Sequence, residues 1–359
     1  MKPYDWKVFQ VVKPISKRMA SSDNDKRKIQ MIDIARMAGV STSTVSRALN
    51  GSSLTNDETR QRIIELARSL NYTINQSAKS LRMGDNRTIG VVIPYDSKTR
   101  QHISDPFFLG MLGSLADALT DRNYDLLLSR VDADHLDDMA SLYDTGRAKG
   151  IIVIGQWGHH DQLNELARRH VPMAVWGAQL PRQLYCSVGS DNVSGGSLAT
   201  EHLLGLGRRR IVFMGDTDMP EAAKRHEGYL LAHEKMGIAV DPRLYIKSPF
   251  TAEEAQATLL QFLESGVAFD AIFAASDLIA INAMGVLKGH GISIPEQVSV
   301  VGYDDIDMAS HSFPPLTTVR QPIDVAGGML MDSLQEVLDG QIADSKHLPT
   351  SLVVRGSTV

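Results

Sequence analysis

Residues 29–81 read IQMIDIARMAGVSTSTVSRALNGSSLTNDETRQRIIELARSLNYTINQSAKSL, and the stretch begins with the pattern of three short helices. Residues 31–38 put Ile34, Ala35 and Ala38 on one helical face, and Gly39 follows where a chain leaving a helix needs positive φ. Ser41 is placed to cap a second helix through its hydroxyl, and that helix carries Val45, Ala48 and Leu49 up to an Asn50-Gly51 stop. Two short helices joined by a glycine turn form a helix-turn-helix. Thr55 and Glu58 have capping-box spacing, and Thr59, Ile63, Leu66, Ala67 and Leu70 then recur along a third helix able to bury the other two.

The polar side of the second helix carries Thr42, Ser43, Ser46 and Arg47, short donors plus one guanidinium at the spacing of a helix that reads the major groove. Ser41, Thr44, Asn50, Tyr72 and Asn75 complete the candidate DNA-binding set around them. The same residues would also serve as the solvated face of a small helical bundle. Charge separates the two readings. Residues 26–87 hold eleven Lys/Arg against five Asp/Glu, a net of +6, whereas residues 88–359 hold twenty-one against thirty-four, a net of −13. A basic module joined to an acidic body is what attraction to phosphate predicts.

The runs IDIARMAGVSTSTVSRALN (32–50), NYTINQSAKSLR (71–82) and TIGVVIP (88–94), continued by SDNVSGGSLATEHLLGLGRRRI (190–211), VVGYDDIDMAS (300–310) and PPLTTVRQP (314–322), resemble the lactose-repressor (LacI-type) family of bacterial transcription regulators. The resemblance covers nearly everything after about Ile29. It implies a dimer on a near-palindromic operator, with a hinge segment that orders as a helix when two copies meet in the minor groove. On that resemblance Leu81 matches the apolar wedge at the central base step and Ala78 the small residue that lets the paired hinges approach. Ile74 stands where relatives commonly carry proline, so the start of the hinge helix is less constrained here.

The chain has 359 residues, 43% of them apolar, enough for a small module and a larger body with sizeable cores. After the hinge, short apolar runs alternate with amphipathic segments. Strands are predicted at 89–93, 124–129, 150–155, 172–177, 210–215, 244–247, 271–275, 298–303 and 351–354, with helices at 107–122, 161–170, 194–206, 220–236, 251–265 and 277–289. The fold class is therefore α/β behind a small all-α head, with enough βα units for two parallel sheets covered on both faces. The resemblance implies two Rossmann-like lobes of the type I periplasmic-binding-protein kind, crossed near Asp191, Gln321 and Pro349. The expected organisation is an extension (1–28), a helix-turn-helix domain (29–74), a hinge and linker (75–87), one lobe of 88–190 plus 321–348 and another of 191–320 plus 349–359.

Ligands of open parallel sheets bind beyond the carboxyl ends of the strands. That rule, with the resemblance, selects Asp105, Phe107, Phe108, Gln156, Trp176, Phe250, Ser276 and Asp304, and the resemblance adds Arg225 on a helix. Aromatic faces stack on the C–H surface of a sugar, while Arg, Asp and Ser supply directional hydrogen bonds, so the set suits a small carbohydrate effector. Each residue also has a plainer use: the phenylalanines in a core, Asp277 as a helix cap, Arg225 in a surface ion pair. Gly177 stands where the resembling family often has a polar side chain, so one sugar contact is either missing or supplied by Gln156.

Other classes fit poorly. Ser190-Asp191-Asn192 matches one β-lactamase element, but Ser-x-x-Lys and Lys-Thr-Gly are missing, as are Gly-x-Ser-x-Gly, a P-loop and His-Glu-x-x-His. Gly205-Leu-Gly207 follows a helix and precedes a strand, the reverse of a dinucleotide loop. His159-His160-Asp161 could hold a metal but reads as a polar turn opening a helix. No enzyme, cofactor or metal is expected. The single cysteine, Cys186, permits no internal disulfide, and no run approaches about 20 apolar residues, so a cytoplasmic protein is expected. Residues 1–28 read as a solvated arm without the apolar core of a signal peptide, which disfavours a transporter's sugar-binding protein, and no heptad tail for tetramers follows the last strand.

Overall fold

A computed structural model describes residues 29–49, 54–70, 72, 86–96 and 101–358. They belong to two compact units, divided between Lys79 and Ser80. The smaller contains α1 (Met31–Ala38), α2 (Thr42–Leu49) and α3 (Asp57–Ser69). Gly39 closes α1 at φ 68°, and the Val40 N–H reaches back to the Ala35 carbonyl at 3.0 Å. Ser41 Oγ accepts from the Thr44 N–H at 3.2 Å, so the hydroxyl caps α2. The cap of α3 is Asn56, not Thr55. Asn56 Oδ1 stands one residue nearer the helix and accepts from the Glu58 N–H at 2.8 Å, while Thr55 is buried and its carbonyl takes the Arg60 guanidinium at 3.0 Å. Ile34, Ala35, Val45, Ala48, Ile63 and Ala67 form the core, and Arg62 Nη2 donates to the Ala38 carbonyl at 2.9 Å, tying α3 to the end of α1.

The larger unit runs β1 (Thr88–Tyr95), α4 (Pro106–Asp121), β2 (Asp125–Asp132), a 3-10 segment (Ala133–Met139), α5 (Ala140–Asp144), β3 (Gly150–Ile154), α6 (His160–Arg168), β4 (Met173–Trp176) and β5 (Cys186–Ser190). It continues with α7 (Asn192–Gly205), β6 (Ile211–Met214), α8 (Pro220–Lys235), β7 (Tyr245–Ile246), α9 (Ala252–Glu264), β8 (Ala271–Ala274), α10 (Asp277–Gly289), β9 (Ser299–Asp304), α11 (Asp307–His311), β10 (Thr317–Arg320), α12 (Ile323–Leu338), β11 (Lys346–Leu348) and β12 (Ser351–Val353). One sheet has the order β11-β5-β4-β3-β1-β2 and is parallel throughout; the other is β12-β10-β9-β8-β6-β7, with β12 alone antiparallel. The chain passes between sheets three times, after β5, after β10 and after β11.

Strand β1 shows why its sequence is a continuous apolar run. Ile89, Val91 and Ile93 face Met111, Leu115 and Leu119 of α4 and Leu330, Met331 and Leu334 of α12, while Val92 faces Leu136, Met139 and Leu163 on the other side. Alternate residues enter opposite cores, and both must be apolar. Three strands absent from the expectation, β5, β10 and β11, have no such run. They pair in the ladders, β5 between β4 and β11 and β10 between β9 and β12, and side chains add to them: Ser345 Oγ accepts from the Ser187 N–H at 3.1 Å, and Thr317 Oγ1 lies 2.8 Å from Thr358 Oγ1. Among the described residues no helix is long and apolar enough to cross a membrane.

Candidate functional site

On α2, Thr42, Ser43 and Arg47 are exposed and Thr44 and Ser46 half-buried, so the polar face stands clear of the Val45–Ala48 core side. Ser41 Oγ lies 2.7 Å from Ser43 Oγ and 2.9 Å from Thr44 Oγ1, which orders the hydroxyls at the start of this face. Tyr72 packs half-buried against the helical core, its N–H donating to the Ala67 carbonyl at 2.8 Å. Asn50, Asn75, Ala78 and Leu81 lie outside the described residues, as does the 1–28 extension.

In the larger unit a cleft opens at the carboxyl ends of the strands of both sheets. Asp105, Phe107, Phe108, Gln156 and Trp176 reach it from the first sheet, and Arg225, Phe250, Ser276 and Asp304 from the second. Gln101, Trp157, Met219 and Glu221 line it too, and sequence reasoning missed them. Applied after β3 and after β6, the carboxyl-end rule would have pointed to Trp157 and Met219, while Glu221 stands in the first turn of α8.

Arg225 is set by a close helix crossing. A Cβ on Gly196 of α7 would stand 2.1 Å from the Arg225 carbonyl oxygen, and one on Gly228 of α8 would stand 2.1 Å from that of Val193. The helices approach because those side chains are missing. The buried guanidinium donates through Nε to Asn192 Oδ1 at 2.8 Å and through Nη1 to the Ala275 carbonyl, and it stacks 3.8 Å from the Tyr303 ring centroid. Asp304 Oδ1 is 3.9 Å from Nη1 and accepts from Gln321 Nε2 at 2.6 Å. Asp304 and Asp305 have φ of 117° and 59°, a backbone that ordinary side chains rarely adopt and that turns the carboxylate into the cleft. Asp277, read from the sequence as a possible cap, does not cap a helix. Its Oδ1 accepts from Thr318 Oγ1 at 2.5 Å and its Oδ2 from the Ile306 N–H at 2.9 Å, which fixes the loop after β9. Ser276 is the cap of α10, accepting from the Ile279 N–H at 3.2 Å and keeping its hydroxyl hydrogen for another partner. Asp105 caps α4 through the Phe107 N–H at 3.0 Å, with Gln101 Nε2 at 3.2 Å from its second oxygen.

Burial pushes the Asp304 carboxyl up to about 7, against the pull of Arg225 and with a push from Asp105. Burial also raises Asp105 and Asp277. A folded value above the unfolded one means that stability from Asp304 is complete below the unfolded value and is lost as pH rises through about 7. In thermal melts from about pH 5 to about pH 8, wild type is expected to lose ground steadily to Asp304→Asn. A difference independent of pH would contradict the assignment.

Among the described residues no three His, Cys, Asp or Glu side chains converge as metal ligands. His160 Nδ1 instead lies 2.9 Å from Tyr185 Oη, which accepts from Gln156 Nε2 at 2.9 Å.

Residues 30–75 match the family described as bacterial regulatory proteins, lacI family, and residues 200–358 the periplasmic binding protein-like domain. The HTH-type transcriptional regulator CelR of Thermobifida fusca is 30% identical over 338 residues, spanning 92% of this chain and 99% of that protein. A transcriptional regulator CelR–cellobiose complex is similar at TM-score 0.67 and 28% identity, covering 92% of this chain and 99% of that one. The lac repressor dimer bound to operator and the anti-inducer ONPF matches at TM-score 0.81, covering 93% of this chain and 100% of that one; at 24% identity the likeness is one of fold.

Proposed function

The chain belongs to the lacI family of bacterial regulatory proteins, DNA-binding transcriptional regulators, and on that premise we propose that it represses carbohydrate-use genes in response to a small sugar held in the cleft. The observation that carries the reading is the composition of that cleft. Phe107, Trp176 and Phe250 supply apolar faces, while Arg225, Asp304 and Gln156 supply directional polar groups, the pairing a polyol needs. A relative solved with cellobiose supports it. The reading includes a cytoplasmic, non-enzymatic homodimer on a near-palindromic operator, divided as 29–74, 75–87, 88–190 plus 321–348, and 191–320 plus 349–359.

Arg47 is the proposed guanine-reading side chain. Arg47→Ala is expected to weaken operator binding by about 1–3 kcal/mol and to relax base preference at one position; a variant as tight and as selective as wild type would exclude this docking. The whole reading is tested by fluorescence anisotropy on the DNA upstream of the protein's own gene, with non-specific competitor and a carbohydrate panel. Tight binding released by one sugar is the expected result. Binding that no sugar alters in either direction would refute the effector, and operator and effector must change each other's affinity by the same factor.

A further inference from the structure

The amino ends of β1 to β4 lie together, since the four strands are parallel neighbours, and they form the end of the sheet opposite the cleft. The segments leading into them, residues 86–87, 121–124, 144–149 and 168–172, hold six Lys/Arg against two Asp/Glu, although residues 88–359 as a whole carry a net of −13. A pocket opens here, lined by Asn86, Arg87, Arg122, Asn123, Tyr124 and Lys149, with no carboxylate in its wall among the described residues. Backbone hydrogen bonds fix its frame. The Arg87 carbonyl accepts from the Asp125 N–H at 2.7 Å, the Thr88 carbonyl accepts from the Lys149 N–H at 2.8 Å, and Asn86 Nδ2 donates to the Gly146 carbonyl at 2.9 Å. Lys149 Nζ is held against Tyr124, 3.4 Å from Oη and 5.7 Å from the ring centroid. A cation that follows a helix ordinarily offsets the dipole at its carboxyl end, and Arg122 does so after α4, donating to the Ala118 carbonyl at 2.9 Å. Lys149 stands directly before β3, well past the end of α5 at Asp144, and Arg87 directly before β1, so the dipole does not account for them.

We propose that this pocket seats a phosphate of the DNA backbone, giving the acidic body one cationic, sequence-independent foothold on the duplex. Guanidinium and ammonium groups converging with the Asn123 amide suit phosphate oxygens, and contacts of that kind add affinity without reading bases. The chain coming from the helix-turn-helix enters β1 at this same end of the sheet. The reach rests on the hinge reading: six residue steps separate Leu81 from Arg87, at most about 20 Å of chain, so a Leu81 seated in the minor groove keeps the pocket close to the duplex.

Fluorescence anisotropy of the full chain across a salt series tests this on the upstream fragment and on random duplex of equal length. Lys149→Gln and Arg87→Gln are each expected to flatten the fall of log affinity with log salt by about one for each protomer, with the ratio of specific to random affinity unchanged. Lys235→Gln, which removes an exposed cation paired with Glu201 on α8, is the control and should leave the slope as it is. A wild-type slope in both pocket variants would overturn the proposal. Equal flattening in Lys235→Gln would overturn it too, marking a general field instead of a site. So would a loss confined to the upstream fragment, which would place the effect on base reading. Neutral methylphosphonates introduced one at a time then locate the contact: one position in each half-site is expected to weaken wild type and to leave Lys149→Gln unaffected. A position farther from the operator's centre than the tether allows would refute the hinge reading while supporting the pocket.

Discussion

Arg225→Met is expected to abolish the response to effector and to destabilise the larger unit by about 3–5 kcal/mol, because it breaks a buried charge pair by removing one partner. The guanidinium and the Asp304 carboxylate are both more than nine-tenths buried, and the same guanidinium satisfies Asn192 Oδ1 and the Ala275 carbonyl. Methionine fills comparable space with no donor, so Asn192 Oδ1 and the Ala275 carbonyl lose their donor while Asp304, still bonded to Gln321, loses its counter-charge. Asp304 would then be driven further towards its neutral form, since Arg225 is the strongest of the groups, Gln321 among them, that pull its value down. Adding Asp304→Asn to Arg225→Met should recover part of the loss. Urea unfolding of the two single variants and the double variant measures this coupling. A loss for Arg225→Met below about 1 kcal/mol would show that the pair is better hydrated than its burial indicates.

Gly228→Val carries the second large effect. The atom its Cβ meets is a backbone carbonyl 2.1 Å away, with the Ser197 nitrogen at 2.7 Å, and neither can rotate aside. The two helices must separate, displacing Arg225 from Asn192 and thinning the packing under β9, where Gly195 lets the Tyr303 hydroxyl approach within 2.3 Å of an ideal Cβ. The expected cost is about 3 kcal/mol or more, with partial loss of effector binding. Gly113→Ala on α4 is the control. No atom lies within 4 Å of its Cβ, so the gain in helix propensity should stabilise by roughly 0.5–1 kcal/mol. Thermal melts giving both variants the same sign would show that the crossing yields more readily than its geometry indicates.

Local chemistry made much of the fold legible. Helix α1 coincides with its expected range because Gly39 and the Ile34–Ala35 face act within one turn, and β3 and β4 follow from apolar runs that both faces of a parallel sheet require. Cys186–Ser190 was not legible, since one valine among small polar residues gives no periodic signal and its partner Ser345 lies far along the chain. The cleft was partly legible for the same reason. Positions after strands can be found by order alone, so Trp176 and Asp304 could be named, whereas the role of Asp277 depends on Thr318 and Ile306, which only the folded chain brings to it. The Gln156–Gly177 pairing is intermediate. The absence of a side chain at 177 was visible, but that Gln156 occupies the space depends on the fold bringing β3 and β4 together.

The triple passage between the sheets bears on how the chain is made. Helix α12, which covers one face of the first sheet with Leu330, Met331 and Leu334, is separated from β1 by the whole of the second sheet's strands β6–β10. During synthesis the first sheet's strands β1–β5 emerge long before the helix that seals them, leaving Ile89, Val91 and Ile93 without half their packing. The second sheet waits only for its edge, because β12, which borders β10, follows α12 and β11 in the chain. The first sheet is therefore not an early-folding unit, whereas the second lacks only its edge strand, its buried apolar core lying within residues 199–319. The first sheet should acquire its native core only when α12 arrives, and a nascent chain stalled before α12 should be a substrate for chaperones rather than a half-built regulator.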